Sequence, residues 1–341
     1  MHSAARRTLA LTGLALACAI PGRAQGLNPV GLAERAWAQA LKDCRDSVGS
    51  FSEASFWSGE LFRAQSEAKE LAGGQRAFAE VGWRQRLKQL QRVAKTEADR
   101  FELASLRAVA ADPHSEASSQ AAVAALTSLV GALTRELEAG AGDPERLFTW
   151  ATSLRLYEDE LERGVFGADA GELELEVEDP GESPAARRLR ERMQWLHDRL
   201  QERASSGEGA SELRAAATYY RLRCQPKPAL ALEEDELGDT VVRADPAAIA
   251  GVNAVKACYA SALEAYAAGR GSAREVYLWS LRHTWEAGSV EVLRREAAQH
   301  LERMTKLVEV ARARHKTSTP ADVAYLHQRA QERARQAAEA R

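Results

Sequence analysis

Four cysteines in 341 residues are too few for a disulfide scaffold, since domains stabilised that way are dense in bridges. Cys18 lies in a leader-like start, which leaves Cys44, Cys224 and Cys258, an odd number with no zinc-ligand spacing among them. The expectation is small buried thiols with one bridge at most. A basic surplus is missing too: 46 Lys and Arg stand against 49 Asp and Glu. Neutralising phosphates needs concentrated Lys and Arg, so nucleic acid is not an expected partner. The two signs are interspersed, as on solvated helix faces. Past the first residues no stretch approaches the ~20 consecutive apolar residues of a membrane helix, so no membrane span is expected.

Catalytic motifs are absent as well. His114, His197, His283, His300, His315 and His327 are scattered, with no HExxH and no pair at metal-ligand spacing on one helix face. There is no Gly-x-Ser-x-Gly elbow and no dinucleotide fingerprint, and "GRGS" lacks the Lys and the strand of a phosphate loop. The run Glu233-Glu234-Asp235-Glu236 does not have the spacing of an EF-hand loop and reads as a solvated linker. In "ATYYRLR" (217–223) the tyrosines are expected to pack, with Arg221 and Arg223 outward. No catalytic, cofactor-binding or metal-ligating residue is assigned, and the chain reads as a non-enzyme without cofactor.

What is present begins with a targeting signature. Arg6 and Arg7 precede the short apolar run "TLALTGLALACAI", and Gly22-Arg23-Ala24 offers small residues for cleavage. Residues 1–24 therefore read as a signal peptide, and its removal moves the formal charge from −3 to −6. A lipoprotein signal ending at Cys18 ranks second, because Ala15 stands where that pattern takes Leu. The expected location is periplasmic or extracellular.

The remainder is rich in Ala, Glu, Arg and Leu, the residues that lose least rotamer freedom in a helix. Three stretches repeat one construction: "SVGSFSEASFWS" (47–58), "AGAGDPERLFTWA" (139–151) and "AGRGSAREVYLWS" (268–280). Each carries a Gly and a capping residue, Gly49-Ser50, Gly142-Asp143 and Gly271-Ser272, with Trp57, Trp150 and Trp279 seven residues after the cap. Gly tolerates the left-handed conformation that ends a helix, and Ser or Asp caps the next one. Glu53 and Glu275 complete capping boxes, while Pro144 occupies the first helical position of the middle copy. The fixed phase predicts that the three tryptophans are buried where helix B meets helix A of the same repeat.

A second signature follows each break: Gln85-Arg86-Leu87-x-x-Leu90, Glu191-Arg192-Met193-x-x-Leu196 and Glu302-Arg303-Met304-x-x-Leu307. The apolar pair at i and i+3 is a core stripe, with the charged pair expected on its outer edge. Three repeats result, 26–110, 118–224 and 248–341, each of helices A to D. The middle one carries a polar insertion at 164–183, expected to be a mobile loop, and residues 225–247 form a linker.

"YAAGRGSAREVYLWSLRHTWEA" (266–287) resembles the Tyr-x-x-Gly-x-x-Ser-x-x-x-Val break of the outer-membrane efflux (TolC-like) family, through Tyr266, Gly269, Ser272 and Val276. "STPADVAYLHQRAQERA" (318–334) is a weaker echo of it. The "VYxWSxR" and "AxxYYRL" segments, the latter at Ala216–Leu222, also resemble other secreted bacterial helical-repeat proteins. The resemblance implies coiled, self-associating hairpins, and the chain lacks the alternating strands of a membrane barrel. The fold expected is all-α: antiparallel helical hairpins in about three divergent repeats, elongated or bundle-like, without a β-barrel. The expected role is a structural or protein-interaction element of the bacterial cell envelope, its partner an envelope protein or a second copy. The alternative is a TolC-like efflux-associated protein or adaptor.

Overall fold

A computed structural model describes residues 28–70, 76–110, 115–164, 183–206, 210–224, 232–234, 240–242, 246–282, 290–316 and 318–339. The leader with Cys18, nearly all of the 164–183 insertion and most of the 225–247 linker lie outside the described residues.

Twelve helices make up the described fold, four per sequence repeat. The first repeat supplies α1 (Pro29–Arg45), α2 (Phe51–Glu70), α3 (Arg76–Val93) and α4 (Glu97–Ala110). The second supplies α5 (Glu116–Glu138), α6 (Pro144–Arg163), α7 (Pro184–Ser205) and α8 (Ala210–Arg223). The third supplies α9 (Pro246–Ala267), α10 (Ala273–Arg282), α11 (Val290–His315) and α12 (Ala321–Glu339). In the linker, β1 (Leu232–Glu234) pairs antiparallel with β2 (Thr240–Val242), so the acidic run begins on a strand. The all-α expectation holds, with no barrel among the described residues.

Helix starts follow elementary capping chemistry. Asn28, Ser115, Asp143 and Ser183 each accept a bond from a backbone N–H of the first turn, and Pro29, Pro144 and Pro184 occupy first helical positions. Heptad-like spacing then sets the buried faces. Leu126, Leu129, Leu133 and Leu137 on α5 and Leu147, Ala151 and Leu154 on α6 are buried, and the two helices pack together. The second signature forms a core stripe in every repeat: Leu87, Leu90, Met193, Leu196, Met304 and Leu307 are buried. Its charged pair is not uniformly outside, because Arg86 is only 5% exposed. By length and mean apolarity α5 alone among the described helices could cross a membrane. Counting consecutive apolar residues misses it, since Ser, Thr, Gly and Gln interrupt its alanines and leucines.

Packing divides the chain differently from the three sequence repeats. One compact unit draws on Met1–Val177 and Ala287–Arg341, the other on Glu178–Glu286. The boundary falls inside repeats, and the pairings give the reason. Within each repeat A packs on B and C on D; helix D then packs on helix A of the repeat that follows, α4 on α5 and α8 on α9. The last helix obeys the same rule by returning to the first, α12 on α1. The packing frame is therefore C-D-A-B, half a repeat out of step with the sequence frame. The second unit is one such module, α7 to α10; the first unit joins two, α3 to α6 and α11 with α12 on α1 and α2, because α3 also packs on α2 and α1.

Candidate functional site

The three A-to-B breaks are the candidate positions, and each is built the same way. The left-handed residue ending helix A is not the aligned glycine but lies two positions earlier: Ser47 (φ 63°), Gly140 (φ 81°) and Gly269 (φ 79°). Around it Val48, Ala141 and Arg270 donate N–H bonds of 2.9, 3.0 and 2.9 Å to the carbonyls of Asp43, Glu136 and Ala265. Ser47, Gly140 and Gly269 donate to Cys44, Leu137 and Tyr266, which completes the paired bonds of a Schellman ending. Gly49, Gly142 and Gly271 serve a different need, close approach. A Cβ at Gly49 would stand 2.9 Å from Asp43 Cβ, at Gly142 2.6 Å from Leu137 N, and at Gly271 3.1 Å from Ala265 Cβ. The chain doubles back onto its own last turn too tightly for a side chain.

The caps form as the residue types dictate. Glu53 N donates to Ser50 Oγ at 3.1 Å, Glu275 N to Ser272 Oγ at 3.2 Å, and Glu145 N to Asp143 Oδ1 at 2.9 Å. The Glu53 carboxylate also accepts the indole N–H of Trp57, at 2.8 Å. Trp57, Trp150 and Trp279 are 1%, 4% and 6% exposed. Directly after them Ser58, Ala151 and Ser280 are fully buried small residues, a regularity visible in the sequence. A larger side chain there would overpack the interface.

Helix B packs on helix A of its own repeat, and in the first and third copies a helix D adds an aromatic partner to the tryptophan. Trp57 stacks edge-on to Tyr325 of α12 (5.7 Å between centroids), and Trp279 to Tyr219 of α8 (5.3 Å). Polar groups reinforce both. Tyr325 Oη donates to Glu60 Oε2 at 3.1 Å, and Arg329 Nη1 donates to both Glu67 oxygens, at 3.0 and 2.8 Å. The Arg282 guanidinium lies 4.1 Å from the Trp279 ring centroid and 5.3 Å from that of Tyr219. In the middle repeat Arg146 does this work: Nε donates to Glu102 Oε2 at 2.6 Å and Nη2 to Asp99 Oδ1 at 2.9 Å, both on α4. Burial opposes its charge, but the carboxylates and hydrogen bonds of Glu102 and Asp99 outweigh this and raise its pKa.

The start of α4 ties the same cluster to the first break. Thr96 and Asp99 cap one another, Thr96 N to Asp99 Oδ2 at 3.0 Å and Asp99 N to Thr96 Oγ1 at 3.1 Å. Lys95 Nζ reaches the Ser47 hydroxyl at 2.6 Å and the Cys44 carbonyl at 3.2 Å. Burial, and next the Asp99 charge, push the Cys44 thiol pKa up, away from a nucleophilic thiolate. "TEAD" at 96–99 recurs as "TPAD" at 319–322, so this helix-D start was a readable repeat.

Other sequence candidates remain apart. Half-buried His197 bonds exposed Asp198 at 3.0 Å on α7, and His300 is fully buried on α11. Cys44, Cys224 and Cys258 form no disulfide among the described residues. Among those residues no group of three His, Cys, Asp or Glu side chains could hold a metal ion. Comparison with protein-family models, with curated proteins and with solved structures finds no match.

Proposed function

We propose that this chain is an exported, non-enzymatic helical element of the bacterial cell envelope, presenting its hairpins to an envelope protein or to copies of itself. The observation that carries the reading is the commitment of polar side chains at the B–D junctions. Arg146, Asp99, Glu102, Glu60 and Tyr325 each hold one helix against another. Groups that would otherwise be candidates for acid–base work are buried in mutual hydrogen bonds, a common property of structural ion networks. The leader-like residues 1–24 support export.

The test combines two measurements on the native protein in its own cells. The N-terminus of the mature chain is expected at Gln25, and crosslinking in intact envelopes is expected to yield a defined adduct with a partner or a second copy. A full-length cytoplasmic chain, or a solitary monomer under crosslinking, would overturn the proposal.

A further inference from the structure

Arg86 on α3 is as deeply buried as Arg146 but is answered by no carboxylate at hydrogen-bond distance among the described residues. Its Nη1 donates to the Gln65 side-chain oxygen of α2 at 3.2 Å, and its guanidinium carbon lies 6.0 Å from the Trp83 ring centroid. Nε and Nη2 are both buried and have no acceptor among the described residues. These two N–H groups form one edge of the guanidinium, the planar fork that receives two oxygens in a bidentate pair. Burial pushes the pKa down to about 10, with the Glu34 charge partly restoring it, so the group stays cationic at neutral pH.

The surroundings are shaped around this group. Gly82, one turn before Arg86, is half-exposed, and a Cβ there would come 3.2 Å from Arg86 Nη1 and 3.4 Å from Gln65 Oε1. Absence of a side chain at that position leaves room for the guanidinium–amide pair. Phe62 backs Trp83 at 5.5 Å between centroids, which gives the site an apolar wall. Exposed Glu34 adds a negative field that disfavours a dianion, and desolvating a doubly charged group costs more than desolvating a single charge.

We propose that the Nε/Nη2 edge of Arg86, left open while Nη1 is held by Gln65, is a binding site for a monocarboxylate. This goes beyond the envelope role and is independent of it. The probe is sodium acetate titrated into the full mature chain at constant ionic strength, read on the Arg86 Nε–H resonance. That resonance is assigned by its loss in Arg86→Lys and, independently, in Arg86→Met. A saturable shift is expected with acetate and not with chloride. Calorimetric affinity for acetate should fall about tenfold or more in Arg86→Lys, which keeps the charge but loses the fork. Three results would overturn the proposal: no saturable shift with acetate, which leaves the edge to water; a tighter response to inorganic phosphate, which makes it a dianion site; or acetate binding undiminished in both variants.

Discussion

Two buried arginines in the same compact unit behave differently. Arg146, 8% exposed, is held by two carboxylates from another helix, while Arg86, 5% exposed, has one amide and an aromatic ring. Taking a guanidinium out of water costs several kcal/mol unless opposite charge and hydrogen bonds offset it. At the B–D junction that offset comes from inside the protein, and the site is complete. On α3 it is incomplete, and an unsatisfied donor edge points to something that arrives from outside. Burial by itself therefore does not separate structure from function here; the state of the partners does.

Truncating Arg146 to Ala should give the largest effect. It would leave Asp99 and Glu102 buried together without their cation, a loss of ~3–5 kcal/mol in chemical denaturation. Trp57→Ala should cost a similar ~3–5 kcal/mol, as other buried Trp truncations do. The cap that sets its phase matters less: Ser50→Ala should cost only ~0.5–2 kcal/mol. Arg86→Met would sharpen the contrast most, since removing a buried, unanswered charge should be neutral or stabilising by up to ~1 kcal/mol. A loss comparable to that of Arg146→Ala would mean that Arg86 has a structural counter-charge after all.

The smallest effect concerns pH. Burial, and after it the charge of Arg312, hold the His327 pKa below its usual value. The folded chain then binds fewer protons than the unfolded one as pH falls below about 6.5, so stability is lost in that direction and the loss levels off below the lowered folded value. Replacing His327 with Gln should flatten this part of the stability–pH curve, and an unchanged slope would contradict the assignment.

Much of this was legible in the residues. Caps, prolines and the i, i+3 stripes are local chemistry, so helix starts and core faces could be read from spacing. The burial of Trp57, Trp150 and Trp279 follows from their fixed phase after the cap. The left-handed position was misplaced because Ser47 fills it in the first copy, and only Gly140 and Gly269 carry the expected residue type. The aligned glycines answer to steric closeness, which a sequence displays no differently from a positive φ. Helix partners were harder. Glu102 and Arg146 lie 44 positions apart, and Glu60 and Tyr325 265 apart. Repeats counted from the N-terminus put A first, whereas packing begins the module at C. Arg86 was placed on an outer edge because periodicity reports a residue's angle around its own helix and not what covers it.

The half-repeat shift is tested most directly where the chain's last helix meets its second. A double-mutant cycle with Glu60→Ala and Tyr325→Phe, read on the unfolding of the unit that contains both, measures their coupling. If α12 seats on α2 as α4 does on α6, the coupling should be ~1.5–3 kcal/mol, the range for hydrogen bonds to charged groups. Additivity within ~0.3–0.5 kcal/mol would mean the two residues do not meet, and the C-D-A-B frame would fail at its return to the first repeat.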